Sequence, residues 1–307
     1  MNKDLPAIRD QLNSVILGKH HQIDLCLCSL LARGHLLIED LPGMGKTILA
    51  HALANVMGLA FSRIQFTSDL LPADILGVSI FDAGSSQFSF HEGPIFSSVV
   101  LADEINRASP KTQSALLEAM EERQVSIEGR VRNLPASFFV IATQNPLEQA
   151  GTFPLPESQL DRFFMRIRLG YPDRASERSL LEGEDRRDRL EGLPAVIDEK
   201  QLLAWQQQVA TINTSQALLD YVQDLVEQSR NARHFRIGLS PRAALDLVHA
   251  ARAWAMLMER DFVIPEDVQA VLEPVAGHRL SPVVTEQGDI NIESGAVATL
   301  LELTPVP

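Results

Sequence analysis

The 307-residue sequence holds two cysteines, two tryptophans and two tyrosines, and aromatic residues make up only 6% of it. Cys26 and Cys28 stand two apart in an apolar stretch with no further cysteine to pair across a loop. That excludes a disulfide framework, and both read as small buried hydrophobes. No stretch reaches the roughly 18 uninterrupted apolar residues that a membrane-spanning helix needs. The opening Met1-Asn2-Lys3-Asp4-Leu5-Pro6 lacks the apolar centre of a signal peptide, so a cytoplasmic location is expected. Basic residues are in deficit: 27 Lys and Arg face 40 Asp and Glu, a net charge of −13. That balance weighs against wrapping a polyanion, although a local basic channel is compatible with it. What is present is ordinary for a globular chain, 45% hydrophobic and 22% charged, enough for one large or two modest domains.

From Leu5 to Arg33 apolar residues recur at helical spacing, and Gly18 divides them into two short helices. His35 to Asp40 reads as a short buried strand, Gly43 to Gly45 as a turn, and Thr47 to Met57 as a helix. Ala60–Phe66, Ser97–Ala102, Ser137–Thr143 and Phe164–Leu169 read as further strands. Val99-Val-Leu-Ala and Phe138-Phe-Val-Ile-Ala are continuously apolar, as in a parallel sheet covered on both faces, whereas Phe164–Leu169 alternates like an edge. After Gly170 the texture becomes charge-dense, then only helical. The expectation is an α/β class fold: a nucleotide-binding core over 1–172, a linker over 173–192, a small all-helical lid over 193–280 and an irregular tail over 281–307.

Asp40-Leu-Pro-Gly-Met-Gly-Lys-Thr47 fits a phosphate-binding loop except at its first position, where Asp40 replaces glycine. Gly43 and Gly45 let backbone N–H groups turn around phosphate oxygens. Lys46 supplies a point charge for the β and γ phosphates, the Thr47 hydroxyl can ligate Mg²⁺, and the helix that follows aims its positive end at the same anion. Pro42, Met44 and Ile48 complete the expected phosphate cradle. Val99-Val-Leu-Ala-Asp103-Glu104 ends a buried strand in two acids, where parallel sheets place their ligands. Asp103 is expected to hold the magnesium shell and Glu104 to polarise the attacking water. Phe138–Ala142 ends in Thr143-Gln144-Asn145, making Asn145 a candidate to position that water, although Asn before Pro146 is also a common turn starter. Ser240 is a natural N-cap and Pro241 a natural first helical residue. Arg242 in the first turn then opposes the helix dipole, a conflict that a bound anion would remove.

The chain at this point resembles the AAA+ ATPases, and within them the MoxR family, from about Val15 to Leu280. The resemblance is densest in Gly93-Pro-Ile-Phe, Leu101-Ala-Asp-Glu-Ile-Asn-Arg107, Lys111 to Arg123, Ala142-Thr-Gln-Asn-Pro146 and Leu155-Pro-Glu-Ser-Gln-Leu-Asp-Arg-Phe163. It implies that Lys46 and Thr47 are the Walker A pair, Asp103 and Glu104 the Walker B pair, Asn145 sensor 1 and Arg242 sensor 2. Arg162 matches the arginine finger that reaches a neighbouring subunit's γ-phosphate, with Arg123, Arg132, Arg166 and Arg168 as alternatives. The stretch Val15-Ile16-Leu17-Gly18 matches the adenine pocket. Leu76–Phe90 and Gln124–Val131 resemble two inserted hairpins which in related machines touch the substrate.

The resemblance further implies binding of ATP and ADP with Mg²⁺, assembly into a homo-hexamer, and chaperone-like work on protein clients, often with von Willebrand factor A domain partners. Two other readings stand beside it: a nucleic-acid-dependent motor, and a nucleotide-gated scaffold with little turnover. The net charge of −13 weighs against the first, and the presence of both Glu104 and Asn145 against the second. The expected site lies between core and lid, with Lys46 and Arg242 acting in one chain and Arg162 coming from the next.

Overall fold

A computed structural model describes residues 4–84, 86–147, 151–183, 190, 192–283 and 295–306. The two N-terminal helices form as the pattern requires, α1 (Asp4–Val15) and α2 (His20–Leu31), and the chain turns between them at Gly18 with φ +68°. Strand β1 (Leu36–Glu39) then leads through the glycine loop into α3 (Lys46–Val56). Next come β2 (Phe61–Gln65), the short α4 (Pro72–Leu76), and the hairpin β3 (Gly77–Asp82) with β4 (Gln87–Glu92). They are followed by β5 (Val99–Asp103), α5 (Pro110–Glu122), the hairpin β6 (Gln124–Ile127) with β7 (Arg130–Asn133), and β8 (Phe139–Gln144). The one-turn α6 (Glu157–Leu160) and β9 (Met165–Ile167) complete this part.

The five strands β2-β5-β8-β1-β9 make one sheet in that order, every neighbouring pair parallel. Alternation explains why its central strands β1, β5 and β8 are apolar up to their last residues. Leu36, Ile38, Val99, Leu101, Phe139 and Ile141 face one hydrophobic cluster, with α1, α2 and α3. Leu37, Val100, Ala102, Val140 and Ala142 face the other, with Leu116, Leu117 and Met120 of α5. Each residue step changes faces, so both faces need apolar side chains. β9 lies at an edge, as its alternation predicts.

The second part is helical: α7 (Arg174–Glu182), α8 (Glu199–Thr211), α9 (Gln216–Ser229), α10 (Pro241–Leu257) and α11 (Pro265–Ala276). Asp198, Ser215 and Ser240 each cap a helix by accepting from the third backbone N–H, at 2.8, 3.2 and 3.1 Å. Between α9 and α10, β10 (Phe235–Ile237) pairs antiparallel with β11 (Ser281–Pro282). The expectation of an irregular tail is corrected: Gly295–Leu303 forms a helix, α12, that buries Val297 and Leu300 against the helical part. Its spacing of Val297, Leu300 and Leu301 is helical, but the weakly patterned residues before it conceal the start.

The two parts share one hydrophobic cluster. α2 packs on α10, the Cys28 thiol donates to the Ala250 carbonyl at 3.3 Å, and Gln206 donates to the Leu30 carbonyl at 2.8 Å. Both cysteines are free and buried, as their apolar surroundings predict.

Candidate functional site: two half-sites at opposite ends of the sheet

The glycine loop follows β1 at the carboxyl end of the sheet. Gly43 and Gly45 have φ of +83° and +86°, and Gly45 stands at the N-cap of α3, so the loop needs residues without a Cβ penalty. Lys46 is half-buried and donates to the carbonyls of Asp40 (2.7 Å) and Leu41 (3.1 Å). Burial lowers its pKa, while Asp40, Asp103 and Glu104 pull the other way. Asp40, the departure from the loop pattern, has a structural use: its carboxylate accepts from the N–H of Leu41 (2.8 Å) and of Gly170 (2.6 Å), tying the end of β1 to the chain leaving β9. Lys19 donates to the Tyr171 carbonyl at 2.6 Å, and a Cβ on Gly18 would meet Ser176 Oγ at 2.5 Å. These contacts set Val15, Ile16 and Gly18 beside the same end of the sheet. Met44 and Ile48 pack on the cluster that holds Val15 and Ile16, and Pro42 is exposed at the loop's rim.

Asp103 and Glu104 end β5 next to this loop. Thr143, the register partner beyond Ala102↔Ala142, donates to Asp103 Oδ1 at 2.6 Å and accepts from the Glu104 N–H at 2.9 Å. One buried hydroxyl thus orients both acids. Glu104 itself has φ +58°, a left-handed conformation costing a non-glycine residue about 1–2 kcal/mol and often found where chemistry is done. Two residues of β2 reach across: Arg63 pairs with Asp103 Oδ2 at 2.7 Å, and Gln65 donates to Glu104 Oε2 at 3.0 Å, where Arg107 also pairs at 3.0 Å. Sequence reasoning missed Arg63, Gln65, Arg107 and Thr143. Asn145 follows β8, one residue past the pair Glu39↔Gln144, and its Oδ1 accepts from the Leu147 N–H at 3.2 Å in an Asx turn.

The arginines lie elsewhere. α5 starts beyond the carboxyl end of β5 and runs back past the sheet, so its last turn lies at the amino end, where the Met120 carbonyl meets His35 Nε2 at 3.1 Å just before β1. Glu121 in that turn pairs with Arg242 at 2.7 Å and with Arg162 at 3.1 Å. Arg242 therefore pairs with Glu121 and does not stand beside Lys46 of its own chain, whereas the expectation set both on one nucleotide between core and lid. β1 alone, about 13 Å long at 3.3 Å per residue, separates the two ends. The anion that relieves Arg242 from its helix dipole is Glu121, whose carboxyl is held below the usual range by the Arg242 hydrogen bond, then by the Arg242 and Arg162 charges, against some burial. A cleft of about 240 Å³ here is lined by Arg33, Arg123, Arg162 and Arg242. Of the alternative fingers, Arg123 donates to the Arg33 carbonyl at 2.6 Å, and Arg166 and Arg168 pair with Glu39 at 3.5 and 3.1 Å. Arg132 stacks over Phe90, 3.7 Å from the ring centroid.

That cation–π contact joins the two hairpins, as does a 2.7 Å bond from Ser79 Oγ to Glu128 Oε2. The sequence foresees each hairpin but not their union. Together they present exposed Val78, Ile80, Phe81, Phe88 and Val131.

A strand–glycine loop–helix with two acids on the neighbouring strand and an appended helical part is the arrangement of a nucleotide-binding ATPase. Residues 35–165 match the family described as ATPase family associated with various cellular activities (AAA), and residues 227–295 match the AAA lid domain. The chain is 41% identical to Chaperone MoxR1 of Mycobacterium tuberculosis over 88% of its own length and 74% of the relative's. It is 37% identical to Protein MoxR of Paracoccus denitrificans, over 88% and 86% of the two chains. A crystal structure of a Cytophaga hutchinsonii protein superposes with a TM-score of 0.89 at 35% identity, covering 99% of this chain and 95% of that one. The chain belongs to the MoxR family of AAA+ ATPases.

Proposed function

We propose that the protein hydrolyses ATP to ADP and phosphate as a closed ring of its own copies, a hexamer, and couples each cycle to the remodelling of protein clients. The observation that carries this reading is the separation of the two half-sites. Lys46, Asp103, Glu104 and Asn145 stand at one end of the sheet, while Arg162 and Arg242 share Glu121 at the other. A phosphate bound at Lys46 meets those arginines only when a second copy brings them, so both act across the subunit boundary.

The residues then divide the chemistry. The glycine-loop amides and the positive end of α3 cradle the phosphates, and Lys46 leaves its loop carbonyls to neutralise the β and γ oxygens. Thr47 and Asp103 would hold Mg²⁺; the fit is that of a hydroxyl with a buried carboxylate whose charge already attracts the cationic Arg63. Bound there, the ion would neutralise phosphate charge. Glu104, fixed through its backbone by Thr143, takes the proton of the attacking water, and Asn145 holds that water in line. The neighbour's Arg162 and Arg242 stabilise the charge of the transition state. Exchange of ATP for ADP therefore changes how strongly one subunit grips the next. The fused hairpins, with exposed Phe81, Phe88 and Val131, suit apolar segments of a protein client better than a polyanion on a chain of net charge −13. A von Willebrand factor A domain protein is the partner class that the family resemblance implies.

Steady-state hydrolysis per subunit across a wide protein concentration range, with sizing at each point, tests this reading. The specific rate is expected to climb with assembly and then level. A monomer that turns over ATP as fast as the assembled protein would sink it.

A further inference from the structure

The strongest unassigned feature is a buried cation behind the two arginines. Arg279 follows α11, and its side chain is only 4% exposed. It pairs with Asp161 (2.8 Å), the residue before Arg162, and with Asp246 (2.6 Å), one turn along α10 from Arg242. It also donates to the carbonyls of Asp161 and Phe163, both at 3.0 Å, and of Val275 at 3.1 Å. His278 Nε2 stands 3.1 Å from the same Phe163 carbonyl. His278-Arg279 thus clamps the backbone on both sides of Arg162 while holding the helix that bears Arg242.

The pattern is two parallel yokes. Glu121 joins the guanidinium groups of Arg162 and Arg242, and Arg279 joins the acids beside them. A desolvated guanidinium is costly unless paired, and a well-packed apolar group in its place is often at least as stable, so stability alone is a weak reason for it. Its planar fork, however, directs hydrogen bonds to the Asp161 and Phe163 carbonyls and to Asp246 while pairing by charge with Asp161, a fixed geometry that the single point charge of a lysine ammonium on its flexible stem does not reproduce. We infer that Arg279 is a positioning residue for hydrolysis in the neighbouring subunit: it ties the Asp161–Phe163 loop to α10 so that Arg162 and Arg242 are presented as one preset pair. This rests on the reading that both arginines act across the boundary.

The experiment uses full-length Arg279→Lys, alone and mixed in equal amounts with Glu104→Gln. Alone, the variant should bind a fluorescent ADP analogue within about twofold of wild type and lose about tenfold or more in turnover, since misplacing a catalytic group by about 1 Å can cost 10²-fold. In the mixture, Glu104→Gln subunits offer intact arginines to competent Arg279→Lys sites. Turnover per Arg279→Lys chain should then rise several-fold, which a defect of folding or of its own site would not permit. Wild-type turnover of Arg279→Lys alone, or no recovery on mixing, overturns the inference. Arg162→Ala mixed with Glu104→Gln separates the two readings: if it too fails to recover, the cross-boundary reading has failed; if it recovers and Arg279→Lys does not, only the role of Arg279 falls. Should Arg279→Lys not fold, Asp246→Asn cuts the yoke from the α10 side and goes through the same mixing. Unfolding of both variants would assign the cluster to stability alone and likewise overturn the inference.

Discussion

The two ends of the parallel sheet carry opposite imbalances. At the carboxyl end, Asp40, Asp103 and Glu104 crowd around one phosphate-loop lysine, and β2 lends Arg63 to Asp103. At the amino end, Arg33, Arg123, Arg162 and Arg242 line a cleft in which Glu121 answers two of them. At the first end the cations, Lys46, Arg63 and Arg107, are engaged by loop carbonyls or by the two acids, whereas at the second the described arginines outnumber the one carboxylate that pairs with Arg162 and Arg242. On the proposed reading these are halves of different sites, and copies stacked head to tail would bring the acids of one beside the arginines of the next.

That comparison can be broken by experiment. Arg162→Ala should reduce turnover by about 10³-fold, the size of an arginine-finger effect, while nucleotide binding stays within about twofold. A matching loss of binding would place Arg162 in its own chain's site. Glu104→Gln should reduce turnover by about 10²-fold or more, the range of general base catalysis, and still bind ATP. Wild-type hydrolysis by this variant would remove Glu104 from the chemistry. Thr143→Val removes the hydroxyl that orients both acids, so turnover should fall about tenfold, as for a misplaced catalytic group, with Arg162→Ala complementation unaffected because the amino end is untouched.

The smallest effect concerns pH. His35 accepts from the Val140 N–H at 3.0 Å and donates to the Met120 carbonyl, an arrangement only the neutral ring with its proton on Nε2 can make. Burial, then the Arg123 charge, pushes its pKa down to about 3, and burial with Arg279 and Arg166 does the same to His278. Both folded values lie below the unfolded value of about 6.5, so below that pH only the unfolded chain takes the proton. Their stabilising share is complete above pH 7 and declines as pH falls towards 3. Urea unfolding at pH 7 and 5.5 should differ by about 1 kcal/mol for each histidine. A flat profile would mean that the amino end tolerates charge on these rings.

The carboxyl half-site was the more legible of the two. Its loop and its acids are local motifs: glycines that allow positive φ, a lysine and threonine opening a helix, and a buried strand ending in two carboxylates. The parallel sheet followed from continuous apolar strands. Arg63 and Gln65 carried no such signal, because a charged residue on an edge strand looks like ordinary solvation until β5 is laid beside it. Glu121 was invisible for the same reason, since its partners lie 41 and 121 residues further along the chain. Arg242 reads as a first-turn cation that opposes its helix dipole, but pattern alone cannot tell a carboxylate of its own chain from a phosphate.

The two buried cysteines have a practical consequence. Burial raises both thiol pKa values, with Asp24 adding to the effect, so at neutral pH they stay protonated as well as enclosed. Thiol reagents therefore find no native target on the folded chain. A cysteine placed at exposed Phe88 on the hairpin tip would be a sole attachment point for a dye or spin label, without a cysteine-free background having to be made first. Distances between tips in the proposed ring, with and without nucleotide, are thereby open to direct spectroscopic measurement.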